Sequence, residues 1–283
     1  MPLSMNDEWM SERLEDISTH YYTLANGIKP ADVITAHYIP TNLLGAYRTM
    51  GYSNNTVANT THKISAASNL ANKKRYTCVE KIASLKPHVV HGCLFNDFKI
   101  RWVKGLGWVC DEIGAGLKNH APDWALETPA YPSAGNTNAT DVFDVFDYLK
   151  WGADGSEAAI STVQAVEFHT FHEIMKHTGD NTYYSKISSV GSIGATITAT
   201  FYSCPTALYD DYHAGTMRSL LLKGSKSVNS ACNFVIDDEG ATCQCKLLQA
   251  TKTSGETDLW TAVFWMTNPY ITGTDYIADT FYP

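Results

Sequence analysis

The densest run of chemically able side chains is 167–177, which reads Glu-Phe-His-Thr-Phe-His-Glu-Ile-Met-Lys-His. A helical zinc-hydrolase site sets two histidines four residues apart on one helix face, with a glutamate as base. Here that spacing fails. The residue four after His172 is Lys176, and His177 lies five on, rotated away from the first ligand. His169 and His172 can still share a helix face with Glu173 beside His169, so a metal-dependent enzyme built on these three residues stands as an alternative. Nothing else in the chain nominates a third ligand or a water pocket. The plainer reading makes the histidines polar aromatics on an exposed or interface element.

The other reactive residue types give no stronger signal. The chain has seven cysteines and no Cys-x-x-Cys. Cys78, Cys93, Cys110, Cys204 and Cys232 are scattered, as free thiols in a reducing compartment are. Cys243 and Cys245 would share one face of a strand, where core packing explains them better than a metal does. No Gly-x-Ser-x-Gly elbow, Walker loop or Gly-x-Gly-x-x-Gly fingerprint is present. Asp210-Asp211 and Asp237-Asp238 fall at a helix start and a turn, where Asp is structurally favoured. No catalytic, metal-ligating or cofactor-binding residue is assigned, and no cofactor is expected.

The elements that would carry these residues are mostly strands. Ile193–Tyr202 alternates Ile193, Ala195, Ile197, Ala199 and Phe201 against Thr196, Thr198, Thr200 and Tyr202. Side chains alternate across a strand, so this is a sheet with one dry and one hydroxyl-rich face. Val89–Val103 and Trp108–Ile113 flank Lys104-Gly105-Leu106-Gly107 and read as a hairpin. Val142–Trp151 is aromatic-rich and ambiguous. Ala158–Met175 suits either a helix or a long strand. Pro205 starts a helix over Thr206–Lys223, with Tyr209, Tyr212, Thr216 and Leu220 on one face and Gly224 as its stop. Cys232–Ile236, Ala241–Leu248 and Leu259–Met266 read as the closing strands.

Two segments depart from this texture. Residues 6–25 show helical spacing at Met10, Leu14 and Ile17 before Asn26-Gly27. Residues 28–76 have no clear periodicity, which gives a division into an N-terminal helix and extended arm (1–76) and a β domain (77–283). Residues 114–141 carry repeated Gly and Pro and read as a long loop. Trp124, Leu126 and Tyr131 give that loop apolar anchors.

Composition narrows the function class. The net charge of −8 and pI near 5.6 exclude a basic footprint for sequence-independent nucleic-acid binding. No apolar run approaches the ~20 residues of a membrane span. The N-terminus lacks the basic start and apolar core of a signal peptide, so synthesis in the cytoplasm is expected. Only 18% of residues are charged, while Thr, Asn, Ser and Tyr supply much of the polarity. That suits a protein whose surfaces are covered by partners.

The order of features from Val89 to Met266 resembles the tail tube proteins, or major tail proteins, of long-tailed bacteriophages and archaeal tailed viruses. The residues behind this are the Gly92–Val103 strand, its partner Gly107–Gly116, and the Gly/Pro-rich loop after it. They continue with Ala158–Phe171, Ser189–Tyr202, the helix Thr206–Lys223 and the strands through Trp260–Met266. The resemblance covers about two thirds of the chain and leaves the N-terminal 75 residues outside it. It implies a mainly β fold, a β-sandwich or barrel-like subunit with a flanking helix. It further implies hexameric rings, stacked into a virion tail tube that passes viral DNA without specific binding, in company with other tail proteins. On this reading Trp124, Leu126 and Tyr131 contact a neighbouring ring. Thr196, Thr198 and Thr200 face the lumen or another subunit. A sheet-based receptor- or carbohydrate-binding virion protein is a further alternative.

Overall fold

The computed structural model describes residues 3–6, 33–40, 42–57, 61–66, 76–80, 88–115, 118–119, 142–178, 185–252 and 258–274. In chain order the strands begin with β1 (Leu3–Asn6), β2 (Val33–Tyr38), β3 (Gly51–Val57), β4 (Thr61–Ala66), β5 (Tyr76–Glu80) and β6 (His88–Val103). Next are β7 (Gly107–Ala115), β8 (Lys118–Asn119), β9 (Val145–Gly152), β10 (Ala158–Ala159), β11 (Val163–Thr178) and β12 (Ser185–Phe201). The last are β13 (Met217–Ser225), β14 (Asn233–Asp238), β15 (Cys243–Lys252), β16 (Asp258–Met266) and β17 (Pro269–Thr274). Two helices interrupt them, α1 (Leu44–Met50) and α2 (Thr206–Ala214). The fold is mainly β with a flanking helix.

Apart from β5 and β8, which pair with the N-terminal part of β6, the strands form two antiparallel sheets. The first runs β1-β2-β7-β6-β11-β12-β16-β15. The second runs β10-β9-β13-β14-β17-β4-β3. Strand β13 belongs to both: Met217 and Arg218 pair with β15, and Ser219–Ser225 pair with β9.

Alternation explains why the sheets face each other. On β12, Ala195, Ile197, Ala199 and Phe201 are at most 1% exposed. The inward residues of β9, β13 and β14, including Leu149, Leu222 and Phe234, join the same core. Aromatic rings lock the layers. Trp108 of β7 meets Phe234 of β14 edge-on at 4.9 Å, and Trp151 of β9 lies 5.2 Å from Phe264 of β16. The indole N–H of Trp108 donates to the Val145 carbonyl at 2.8 Å, so the buried ring strands no polar atom.

Helix α1 packs against β4 and β6 with most of its residues buried. Arg48 of α1 donates through Nε to Glu112 of β7 at 3.0 Å, and Tyr38 donates its hydroxyl to the same carboxylate. Glu112 is only 1% exposed, so this cluster anchors α1 inside the protein. Helix α2 buries Leu208 and Asp211. Asp211 accepts from the Trp151 indole at 3.0 Å and from Arg218 Nε at 3.0 Å.

Several sequence expectations change here. Ala158–Met175 is largely strand, with Val166, Phe168, Thr170 and His172 buried at alternate positions. The helix expected over Thr206–Lys223 stops at Gly215, whose φ of +66° is the left-handed conformation favoured at a helix end. Residues beyond it enter β13, where Leu220 and Leu222 reach the core, because pairing with β9 and β14 outweighs helical spacing. Residues 28–76, which read as irregular, supply strands β2, β3 and β4 to the two sheets and helix α1 between β2 and β3 among their described residues. Strand β17 follows what reads as the closing strand. The helix expected over 6–25 lies outside the described residues apart from Asn6, which ends β1. Of the loop expected over 114–141, Gly114 and Ala115 finish β7 and 118–119 form β8. Trp124, Leu126 and Tyr131 lie outside the described residues.

Candidate assembly surface

The outward face of the first sheet carries most of the residues singled out in the sequence. Thr196, Thr198 and Thr200 lie on it, half-buried and in register with β11 on one side and β16 on the other. Opposite Thr196 on β11 is His169, then Lys99 on β6, Asp111 on β7 and His37 on β2. His169 hydrogen-bonds Asp97 at 3.0 Å, and Arg101 lies 3.4 Å from Asp111. Acidic and basic side chains therefore neutralise one another across neighbouring strands. Such partly exposed pairs add little stability, about 0–1 kcal/mol each. Their effect is a polar, charge-balanced surface.

Strand geometry separates the proposed metal ligands. His169 and Glu173 point to the outer face, whereas His172 is 2% exposed on the inner face beside Thr170. A helix would have brought the two histidines together; β11 sets them on opposite sides of a sheet. Among the described residues, no group of three or more His, Cys, Asp or Glu is placed to hold a metal ion. Cys243 and Cys245 share the inner face, as expected from their spacing, and both are buried. Burial pushes the Cys245 thiol up to about 12 and raises those of Cys243 and Cys110 as well. These are packing thiols held neutral.

The apolar part of the outer face gathers beside the terminal strand β15. Trp265 (38% exposed), Leu247 (47%) and Met217 (54%) stand on the adjoining strands β16, β15 and β13. Phe171 meets Trp265 edge-on, with ring centres 6.3 Å apart. It can do so because Gly194 lies between their strands, where a Cβ would sit 2.8 Å from the Phe171 ring. From Cys245 to Lys252 the second edge of β15 has no strand partner among the described residues. The pairing is irregular between Cys245 and Leu247, so Lys246 is an extra residue at the edge. A bulge with lysine blunts that end against unwanted pairing. Sequence reasoning missed this site. Its only sign was Leu, Met and Trp at outward positions of the strands around it.

No protein-family model matches the sequence, and no curated protein matches it. Solved structures do show similarity. One is a chain of the virion of a native gene transfer agent particle, 8% identical, over 42% of this chain and 90% of that one, with a TM-score of 0.34. Another belongs to the tail of an empty gene transfer agent particle with C6 symmetry, also 8% identical, with the same coverage and a TM-score of 0.35. A third is the SPP1 tail tube, 12% identical, over 44% of this chain and 77% of that one, with a TM-score of 0.33.

Proposed function

We propose that this chain is a structural protein of a virion tail, a tube subunit whose copies join sheet to sheet into hexameric rings that stack around passing DNA. The observation that carries this is the edge of β15, which has no strand partner from Cys245 to Lys252 among the described residues although α2 packs against the strand, with exposed Leu247, Trp265 and Met217 around it. An edge of this kind is a template for another strand. A head-to-tail contact through it closes into a ring when its rotation permits. The outer face then becomes a wall whose balanced charges and threonines offer a polyanion little to hold. The number six and the DNA cargo follow from the resemblance in element order. On this reading the protein catalyses nothing, is made in the host cytoplasm, and ends in the tail with other tail proteins. Trp124, Leu126 and Tyr131 extend the contact to a neighbouring ring.

The test is negative-stain electron microscopy of the purified protein, with subunits counted per ring. Six-membered rings or tubes support the reading. A protein that stays monomeric at high concentration, or a closed dimer or trimer, overturns it. Leu247→Lys should release monomers, because it puts a charge where the apolar edge contact is proposed.

A further inference from the structure

We propose that Lys246 and Lys252 decide what the β15 edge can pair with, by keeping two copies of that edge from pairing with each other. This rests on the tube reading and adds how the edge is kept for a ring. Any strand edge without a partner has itself as one: a twofold axis brings the same strand of a second copy alongside, antiparallel. Such a pair is closed. Each chain caught in it is lost to a ring, whose contacts join two different surfaces.

The register of that self-pairing follows from β15 (Cys243–Lys252). Under a twofold axis normal to the sheet, the outward face of one copy continues the outward face of the other. Because faces alternate along a strand, only positions an even number of residues apart can oppose one another. Strand β13 limits the overlap further. It occupies the same edge at Cys243 and Gln244, through Arg218 and Met217, so a second strand can enter only beyond that point.

The longest register that clears β13 centres on Gln249. It sets Leu247 opposite Thr251 and Leu248 opposite Ala250, and it brings Lys252 of each copy against Lys246 of the other, at both ends of the ladder. Lys246 is exposed there and is the extra residue where the β15–β16 pairing is irregular. Like charges set opposite each other work against strand pairing, and a bulge at the same point interrupts the ladder. Centring the pair on Ala250 instead separates the lysines, but it gives up rungs at both ends and sets Lys252 opposite Leu248.

A strand other than β15 is under no such constraint, since Lys246 and Lys252 then meet whatever residues it presents. The two lysines therefore discriminate between a like and an unlike edge. Lysine on an edge strand is a common guard against pairing in general. Here its position along β15 makes the guard selective.

The experiment reverses charge in the full chain with K246E, K252E and K246E/K252E, compared at low salt by sedimentation velocity and negative-stain electron microscopy. Either single change turns both lysine–lysine encounters into lysine–glutamate pairs. Each should raise the association constant of the dimer roughly tenfold or more, at the expense of rings. The double change sets glutamate against glutamate and should return the behaviour of the unaltered chain. Salt at about 1 M should shrink the difference. A simple effect of net charge would instead grow from the single to the double variant. No gain of dimer from either single variant, or as much dimer from the double variant as from the singles, overturns the role of the lysines and leaves the tube reading standing. If the unaltered chain forms no rings while both single variants dimerise, the tube reading falls and the role of the lysines stands.

Discussion

Ile197→Ala and Thr198→Ala, adjacent substitutions on β12, should differ greatly in cost because their side chains face opposite sides of one sheet. Ile197 is fully buried between Phe168 on β11 and Phe264 on β16, both also fully buried. Truncation removes three carbons, about 2.4 kcal/mol of transfer free energy at ~0.8 kcal/mol each. The flanking rings are fixed by their own strands and cannot collapse into the space, so a cavity term brings the loss to about 3–4 kcal/mol. Thr198 is half-buried on the outer face, and its loss should cost under about 1 kcal/mol, mostly strand preference. For a chain of this size the two changes correspond to melting shifts of roughly 8–10 °C and 2 °C. Calorimetry or urea melts at one fixed protein concentration measure both, since association shifts apparent stability. Equal shifts, or a larger one for Thr198→Ala, would refute the assignment of faces.

Three other outcomes follow from the buried polar clusters and the thiols. Glu112→Ala leaves Arg48 and the Tyr38 hydroxyl without their carboxylate and should cost about 3 kcal/mol or more, whereas Arg48→Met with Glu112→Leu should recover most of that loss in urea melts. The hydrogen bond from Arg218, aided by that from Trp151, holds the Asp211 carboxyl below its ordinary value against the opposing effect of burial. Its stabilisation is present above the unfolded carboxylate value of about 3.9 and fades as pH falls through the folded one. The melting temperature should therefore drop more steeply below about pH 4 in the unaltered chain than in Asp211→Asn; parallel curves would count against the bond. With Ellman's reagent at pH 8, Cys204 should react first among Cys93, Cys110, Cys204, Cys232, Cys243 and Cys245, the others being buried. Cys110, Cys243 and Cys245 should wait for unfolding, because burial raises their thiols.

The strands that could be read in advance are those whose own alternation is strong. Ile193–Tyr202 and the β6–β7 hairpin each bury one face, and a period of two with glycines at the turn is a local property of the chain. The helix at Thr206 was legible at its start, from Pro205, but not at its end. Gly215 and Gly224 are equally good stops on paper, and only the pairing of 217–225 with β9 and β14 chooses between them. Strands β2, β3 and β4 are short and rich in Thr, Asn and His, so their pattern is weak. Their positions are fixed by the ladders they complete.

Composition and spacing alone determined the acidic balance, the dry and wet faces of β12, the packing role of Cys243 and Cys245, and the absence of a recognisable catalytic motif. The tertiary structure decided the rest. His169 and His172 look like a ligand pair along the chain, and strand geometry sends one outward and the other into the core. Leu247, Trp265 and Met217 are far apart in sequence, and only the order β12-β16-β15-β13 gathers them on one face around β15. Local patterns fix which way a side chain points from its own backbone. Which backbones lie side by side depends on long-range pairing that no single segment encodes.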